Sequence, residues 1–155
     1  MRRVNSTWSM IMVALALVIV ISIAILFRPS SQQLPIEISD FSIKPSSVKE
    51  GNKATITVNV KNVDLKTHQI KFLFNVSPRV SMYAGAEQLL PKDNSFYVYN
   101  FTLEAADPTE KRLFTVTATL EEGTSRVDYP LSLTVSFDGE ELKKTWDDLT
   151  LTVEK

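Results

Sequence analysis

Nineteen consecutive residues near the start of the chain, Ser9 to Phe27 (SMIMVALALVIVISIAILF), carry no charge and only two hydroxyls as polar side chains. A helix through them rises about 1.5 Å per residue and reaches roughly 28 Å, close to the hydrocarbon thickness of a bilayer. A buried soluble helix of that length shows a polar stripe, and this run has none. The spacing therefore predicts a transmembrane helix over 9–27. Trp8 stands where an interfacial aromatic belongs, with Arg2 and Arg3 before it and Phe27 and Arg28 closing the far end. The short N-terminal side holds cations and no acid, so the positive-inside bias predicts residues 1–8 in the cytoplasm and the rest of the chain outside it. Ser22-Ile23-Ala24 offers a small-x-small cleavage pattern, but Ile25, Leu26 and Phe27 continue the apolar run beyond it, which fits an uncleaved signal-anchor better than a removed signal peptide. Residues 28–35 (RPSSQQLP) read as an extended tether.

After Pro35 the hydrophobic period drops to two. Lys53 to Lys61 alternates with Ile56, Val58 and Val60 on one face and Thr55, Thr57 and Asn59 on the other. Leu113 to Leu120 repeats the pattern with Phe114, Val116, Ala118 and Leu120 inward, and Tyr129 to Phe137 repeats it with Leu131, Leu133 and Val135 inward. Weaker strands are expected over 36–43, with a bulge or sheet switch at Asp40-Phe41 where the phase is lost, and over 69–76 and 95–103. Two more, 141–146 and 149–153, are expected on either side of a break at Asp147-Asp148, after a tight turn at Asp138-Gly139. Pro130 belongs at an edge or a strand start because it offers no ladder donor. The fold class expected for 36–155 is mainly β: an antiparallel immunoglobulin-like β-sandwich of seven to eight strands behind one N-terminal transmembrane helix.

Ile38 to Asn52 (ISDFSIKPSSVKEGN) followed by ATITVNVKNVD resembles the opening of prokaryotic immunoglobulin-like cell-surface domains of the CARDB and S-layer-associated type, with Pro45, Gly51, Val60 and Asn62 in the places of that pattern. The Asn side chain there can close the following turn by bonding nearby backbone. The layout of one anchor and one such domain is similar to archaellum stator and accessory subunits. The resemblance implies an archaeal surface protein with an adhesive or scaffolding role, and a surface-layer protein among its partners.

Composition narrows the chemistry. None of the 18 Asp and Glu and three of the 17 Lys and Arg lie in residues 1–28, so the body is acidic. An acidic body without a basic stripe disfavours nucleic acid. With no cysteine, disulfide frameworks, thiolate nucleophiles and sulfur-ligated metal sites are excluded. The single histidine, His68, reads as a solvated residue of the turn between two strands, and no nucleophile elbow, phosphate loop or zinc motif accompanies it. The chain is therefore expected not to be an enzyme and to carry no cofactor. The alternative function is a metal- or ligand-binding accessory subunit of a larger membrane enzyme or transporter. For that reading, Asp138, Glu140, Glu141, Asp147, Asp148, Glu121 and Glu122 could supply calcium with its six to eight oxygen ligands if two such loops met at one end of the sandwich.

Asn75 and Asn100 fit the N-glycosylation sequon, Asn75 with a disfavouring Pro78 close behind; Asn100 in use requires Phe96 and Val98 on its own outer face and Tyr97, Tyr99 and Phe101 in the core. The long connection from Ser77 to Asn94 shows no clear period. It reads either as a crossover covering a sheet edge or as a partner-binding surface, in which case Met82, Tyr83, Leu89 and Leu90, with Phe96 and Val98, are the candidate contacts. Membrane lipid, another extracytoplasmic or membrane protein and a second copy of the chain are the expected partners.

Overall fold

The computed structural model describes residues 35–92, 96–105 and 109–155. The anchor at 9–27 with Trp8, Arg2, Arg3, Phe27 and Arg28, and all of the tether except Pro35, lie outside the described residues. Among the described residues, no helix is long and apolar enough to cross a membrane.

Eleven strands account for most of the described chain: β1 (Ile36–Lys44), β2 (Ser47–Lys49), β3 (Lys53–Asn62), β4 (His68–Asn75), β5 (Val80–Ala84), β6 (Glu87–Gln88), β7 (Pro91–Lys92), β8 (Phe96–Leu103), β9 (Thr109–Ala118), β10 (Arg126–Phe137) and β11 (Glu140–Glu154). They form a five-stranded sheet, β1-β3-β9-β5-β6, and a six-stranded sheet, β2-β11-β10-β4-β8-β7. All pairings are antiparallel except β2 with β11. The fold is mainly β and sandwich-like, with more strands than the seven to eight expected, because β2, β6 and β7 are only two or three residues long and too short to show a period.

Alternation does what the sequence requires of it. In β3, Ala54, Ile56, Val58, Val60 and Asn62 are buried while the residues between them are not. β4 buries Ile70, Phe72 and Phe74, and β10 buries Tyr129, Leu131, Leu133 and Val135. The two sheets meet through aromatic edges. Phe114 of the five-stranded sheet lies 4.8 Å from Phe74 and 6.1 Å from Phe72 of the other, ring centre to ring centre, in T-shaped contacts. Buried Tyr97 spans the sheets by donating its hydroxyl to the Val80 carbonyl at 2.7 Å.

Three sequence expectations take a different form here. Asp147-Asp148 does not break a strand: β11 runs on for 15 residues, and the extra residue is absorbed as a bulge between the pairs Leu131↔Leu149 and Leu133↔Trp146. The Ser77–Asn94 connection is not irregular, since Val80-Ser81-Met82-Tyr83-Ala84 alternates and pairs with β9. The phase loss in β1 is a bulge between Ile38 and Asp40, while the switch of sheets occurs later, at Pro45, between β1 and β2. Pro130 sits inside β10, but β4 pairs with β10 only from Ser132 onward, so that side of Pro130 is a local edge where a missing donor costs nothing.

Candidate functional site

The most chemically loaded cluster is at one end of the sheets, where the chain turns from β3 into β4. Asn62, buried at the end of β3, accepts from the Leu65 N–H at 3.0 Å and donates to the Lys66 carbonyl at 2.6 Å, closing the turn as an asparagine at that position can. Leu65 takes a left-handed φ of 58°, and Asp64 Oδ1 accepts from the Lys66 N–H at 3.1 Å. This folding carries the Asp64 carboxylate back over His68, where Oδ1 meets Nε2 at 2.7 Å.

The opposite side of the ring is met from the β10–β11 hairpin, 70 residues away in sequence. Asp138 and Gly139 both have positive φ, 47° and 85°, as the two-residue turn demands. Asp138 donates its N–H to the Gln69 carbonyl (2.9 Å), accepts from the Gln69 N–H through Oδ1 (2.8 Å) and holds His68 Nδ1 through Oδ2 (2.6 Å). Phe137 closes over the ring edge-on at 6.2 Å. His68 is only 5% exposed, so it is not the solvated turn residue its neighbours in sequence suggest.

Two ionised carboxylates can only accept, so both ring nitrogens must donate, and the imidazole is held as a cation. Burial on its own pushes His68 down, but the hydrogen bonds it donates to Asp64 and Asp138, with the charges of those carboxylates, outweigh it and the net direction is upward. Asp64 is lowered by its hydrogen bond from His68 against a smaller desolvation, and Asp138 is lowered by His68 and then by the Gln69 N–H. A general base or a metal ligand needs a free lone pair on the ring, and in this arrangement there is none. The cluster is an electrostatic staple joining two loops.

The acidic turns considered for calcium do not converge. Glu121-Glu122 precedes β10 and Asp138-Glu140 follows it, and twelve residues at about 3.3 Å each put the two turns roughly 40 Å apart. Asp147 lies in mid-strand, Glu121 faces Arg79 at 3.7 Å, and among the described residues no group of three or more His, Asp or Glu side chains could hold a metal ion.

Of the candidate contact residues, Met82 is fully buried and Leu89 nearly so, because alternation in β5 aims Met82 inward. Tyr83 is half-buried and Leu90 is exposed. Asn75 and Asn100 are both exposed; Phe96 and Val98 are half-buried in phase with Asn100, with Tyr97 in the core and Tyr99 and Phe101 packed partly against it.

The sequence pattern did not single out the flank beside β9. β5 ends at Ala84, opposite Phe114, so Lys111 to Leu113 have no neighbouring strand on that side among the described residues. On the next sheet, β7 covers β8 only at Phe96 and Tyr97. A cleft of about 360 Å³ opens where β5 stops, lined by Ala84, Gly85, Glu87, Tyr99, Lys111, Arg112, Leu113 and Phe114. Arg112 points inward, its guanidinium 4.5 Å from the Phe101 ring centre and 2.5 Å from Glu110, while Leu113 is 52% exposed. A large apolar residue on an open edge was detectable as the step from Arg112 to Leu113, where the inward alternation puts leucine outside.

Residues 44–131, more than half of the chain, match the family described as Domain of unknown function (DUF4436), a span that includes Pro45, Gly51, Val60 and Asn62. No curated protein matches the sequence. Among solved structures, the chain is similar to the alkylpurine DNA glycosylase AlkC of Pseudomonas fluorescens (9% identity, TM-score 0.47, 78% of this chain and 31% of that one). It is also similar to the sporulation control protein Spo0M of Bacillus subtilis (16%, 0.46, 78% and 50%). A third likeness is to the collagen-binding subdomain of the surface protein ACE of Enterococcus faecalis (12%, 0.33, 74% and 96%). The chain thus spans a third to a half of the length of the first two.

Proposed function

The chain belongs to the DUF4436 family, and from that premise we propose that it is a membrane-anchored, non-catalytic interaction or scaffolding module, an accessory subunit of a cell-surface or membrane assembly. On this reading the 9–27 helix stays in the bilayer with the N-terminus in the cytoplasm, and an immunoglobulin-like sandwich stands outside. The uncharged 19-residue run and the cations ahead of it support the placement. The acidic surface and the consumed histidine support contact over catalysis.

The single observation that carries the reading is the open flank beside β9. There a sheet edge, an exposed leucine and a cleft coincide, whereas the other exposed leucines, Leu65 and Leu90, lie outside the strands. Anchoring would confine this flank to a thin layer above the membrane, so that modest contacts gain from high effective concentration.

Photo-crosslinking in native membranes tests the proposal, with benzophenone side chains placed one at a time at exposed positions of both sheets, followed by mass spectrometry. The expected result is one recurring protein captured from positions on one side of the domain, with protease added to intact cells removing the domain. Recovery of the domain in a protease-protected soluble fraction would overturn the placement, and capture spread evenly over all faces would overturn the interaction role.

A further inference from the structure

We propose that the uncovered stretch of β9 is a docking edge for one extended peptide segment of a partner protein, in which an apolar residue is followed two positions later by a carboxylate. The inference rests on the interaction-module reading and names the chemistry of its partner.

The hydrogen-bond phase of β9 is fixed at its far end. The Thr119 N–H donates to the Arg79 carbonyl at 3.2 Å, on the β5 side, whereas the Ala118 carbonyl accepts from the Gly51 N–H at 3.2 Å, on the β3 side. Both ladders run without a register shift, so odd-numbered residues of β9 turn their N–H and C=O groups toward β5 and even-numbered ones toward β3. Beyond Ala84 the odd-numbered Lys111 and Leu113 therefore present both backbone groups to the open flank. Unpaired edge groups of this kind are satisfied by a strand.

An occupant continuing the line of β5 would run antiparallel to β9, meeting Leu113 first, then Arg112, then Lys111. Its side chains opposite Leu113 and Lys111 fall on the outer face, where Leu113 offers apolar surface and Lys111 is exposed. Cross-strand pairing then asks for an apolar residue at the first position and a carboxylate at the third. The intervening side chain points into the cleft beside Tyr99 and Arg112, which has the room to receive it. A second copy fits worse: antiparallel pairing about Lys111 would set this lysine against its own counterpart, a like-charge contact directly opposite.

The test uses the full chain in detergent micelles, labelled with ¹⁵N, and the peptide acetyl-Val-Gln-Glu-Thr-Val-amide. Saturable amide shifts centred on Lys111 and Leu113 are expected. Lys111→Glu, an exposed change whose own spectrum reports its folding, should weaken that peptide about fivefold, and acetyl-Val-Gln-Lys-Thr-Val-amide should bind the variant better than the original peptide does. No saturable shift at millimolar peptide, shifts centred on another surface, indifference to the charge swap, or a dimer in sedimentation that buries Lys111 would each overturn the proposal. If that happens while crosslinking still captures one protein through another face, the docking edge is lost and the interaction module stands; if neither experiment finds a partner, both fall.

Discussion

Replacing Asp138 by Asn separates the charge of the staple from its geometry. Position 138 has φ 47°, which asparagine adopts readily, and the amide oxygen can still accept from the Gln69 N–H, so the hairpin is expected to survive. What disappears is one of the two anions holding the His68 imidazolium. His68 is raised in the folded protein, so its contribution is fully present below its ordinary value near 6.5 and is lost as pH rises through the folded value. Asp64 and Asp138 are lowered, so theirs is present above the ordinary carboxylate range and is lost as pH falls through the folded values. The parent protein should therefore be most stable on a plateau between about pH 4 and 6.5. A hydrogen bond to a charged group is worth about 1.5–3 kcal/mol, and because the Asp138 side chain is 46% exposed, solvent screening reduces this to about 1 kcal/mol. On a domain of this size that lowers Tm by roughly 4 °C at pH 5.5, with the difference shrinking as pH rises through the folded value of His68. Thermal melts followed by circular dichroism from pH 4 to 9 on the full chain in detergent measure it. Superimposable profiles for parent and variant would show that the buried ring is neutral, and the cation argument would be wrong.

Asn62→Ala removes the two bonds that shape the β3–β4 turn from a buried site, and should cost about 1–3 kcal/mol while accelerating amide exchange of Leu65 in particular. Phe72→Ala should cost about 3–5 kcal/mol in denaturant unfolding, since its ring meets Phe74, Phe101 and Phe114 edge-on across the core; a loss under 1 kcal/mol would mean that the sheets are not packed as described. Millimolar calcium or EDTA should leave Tm unmoved, because the acidic turns sit at opposite ends of β10, and a rise of several degrees with calcium would contradict that placement. In a glycosylating host, exposed Asn100 should carry a glycan that Thr102→Ala abolishes, read as a mass shift.

What could be read from the sequence followed the distance over which each signal acts. Alternation is a local signal, and it located the faces of β3, β4, β9 and β10 because each has at least eight residues over which a period can show. Asp138-Gly139 is equally local, and its turn appears where the dipeptide stands. The same rule misleads at Asp147-Asp148. Two adjacent acids look like a loop, but the hydrogen bonds that β10 offers on one side of β11 outweigh their low strand preference, and the mismatch is taken up as a bulge. His68 is the limiting case. Its spacing to Asp64 was visible, whereas Asp138 is 70 residues away and already explained as a turn residue, so nothing local marked it as the second jaw.

The open flank of β9 escaped for a related reason: it is defined by where β5 stops, and a strand of five residues embedded in a connection without period gives no warning of its own length. Both features were hidden because they depend on pairings between segments, and both lie where those pairings run out. The staple closes one such end by adding two charge-assisted bonds. At the end of β5 no side chain of the described residues does the equivalent for the backbone of Lys111 and Leu113, and the lysine that would repel a second copy leaves the edge free for a partner of opposite charge. If that edge were only a folding remnant, introducing proline at 111, where the N–H faces away from β3, should change neither the β3 ladder nor any interaction of the intact protein; loss of partner capture with the ladder's amide protection unchanged is the outcome expected instead.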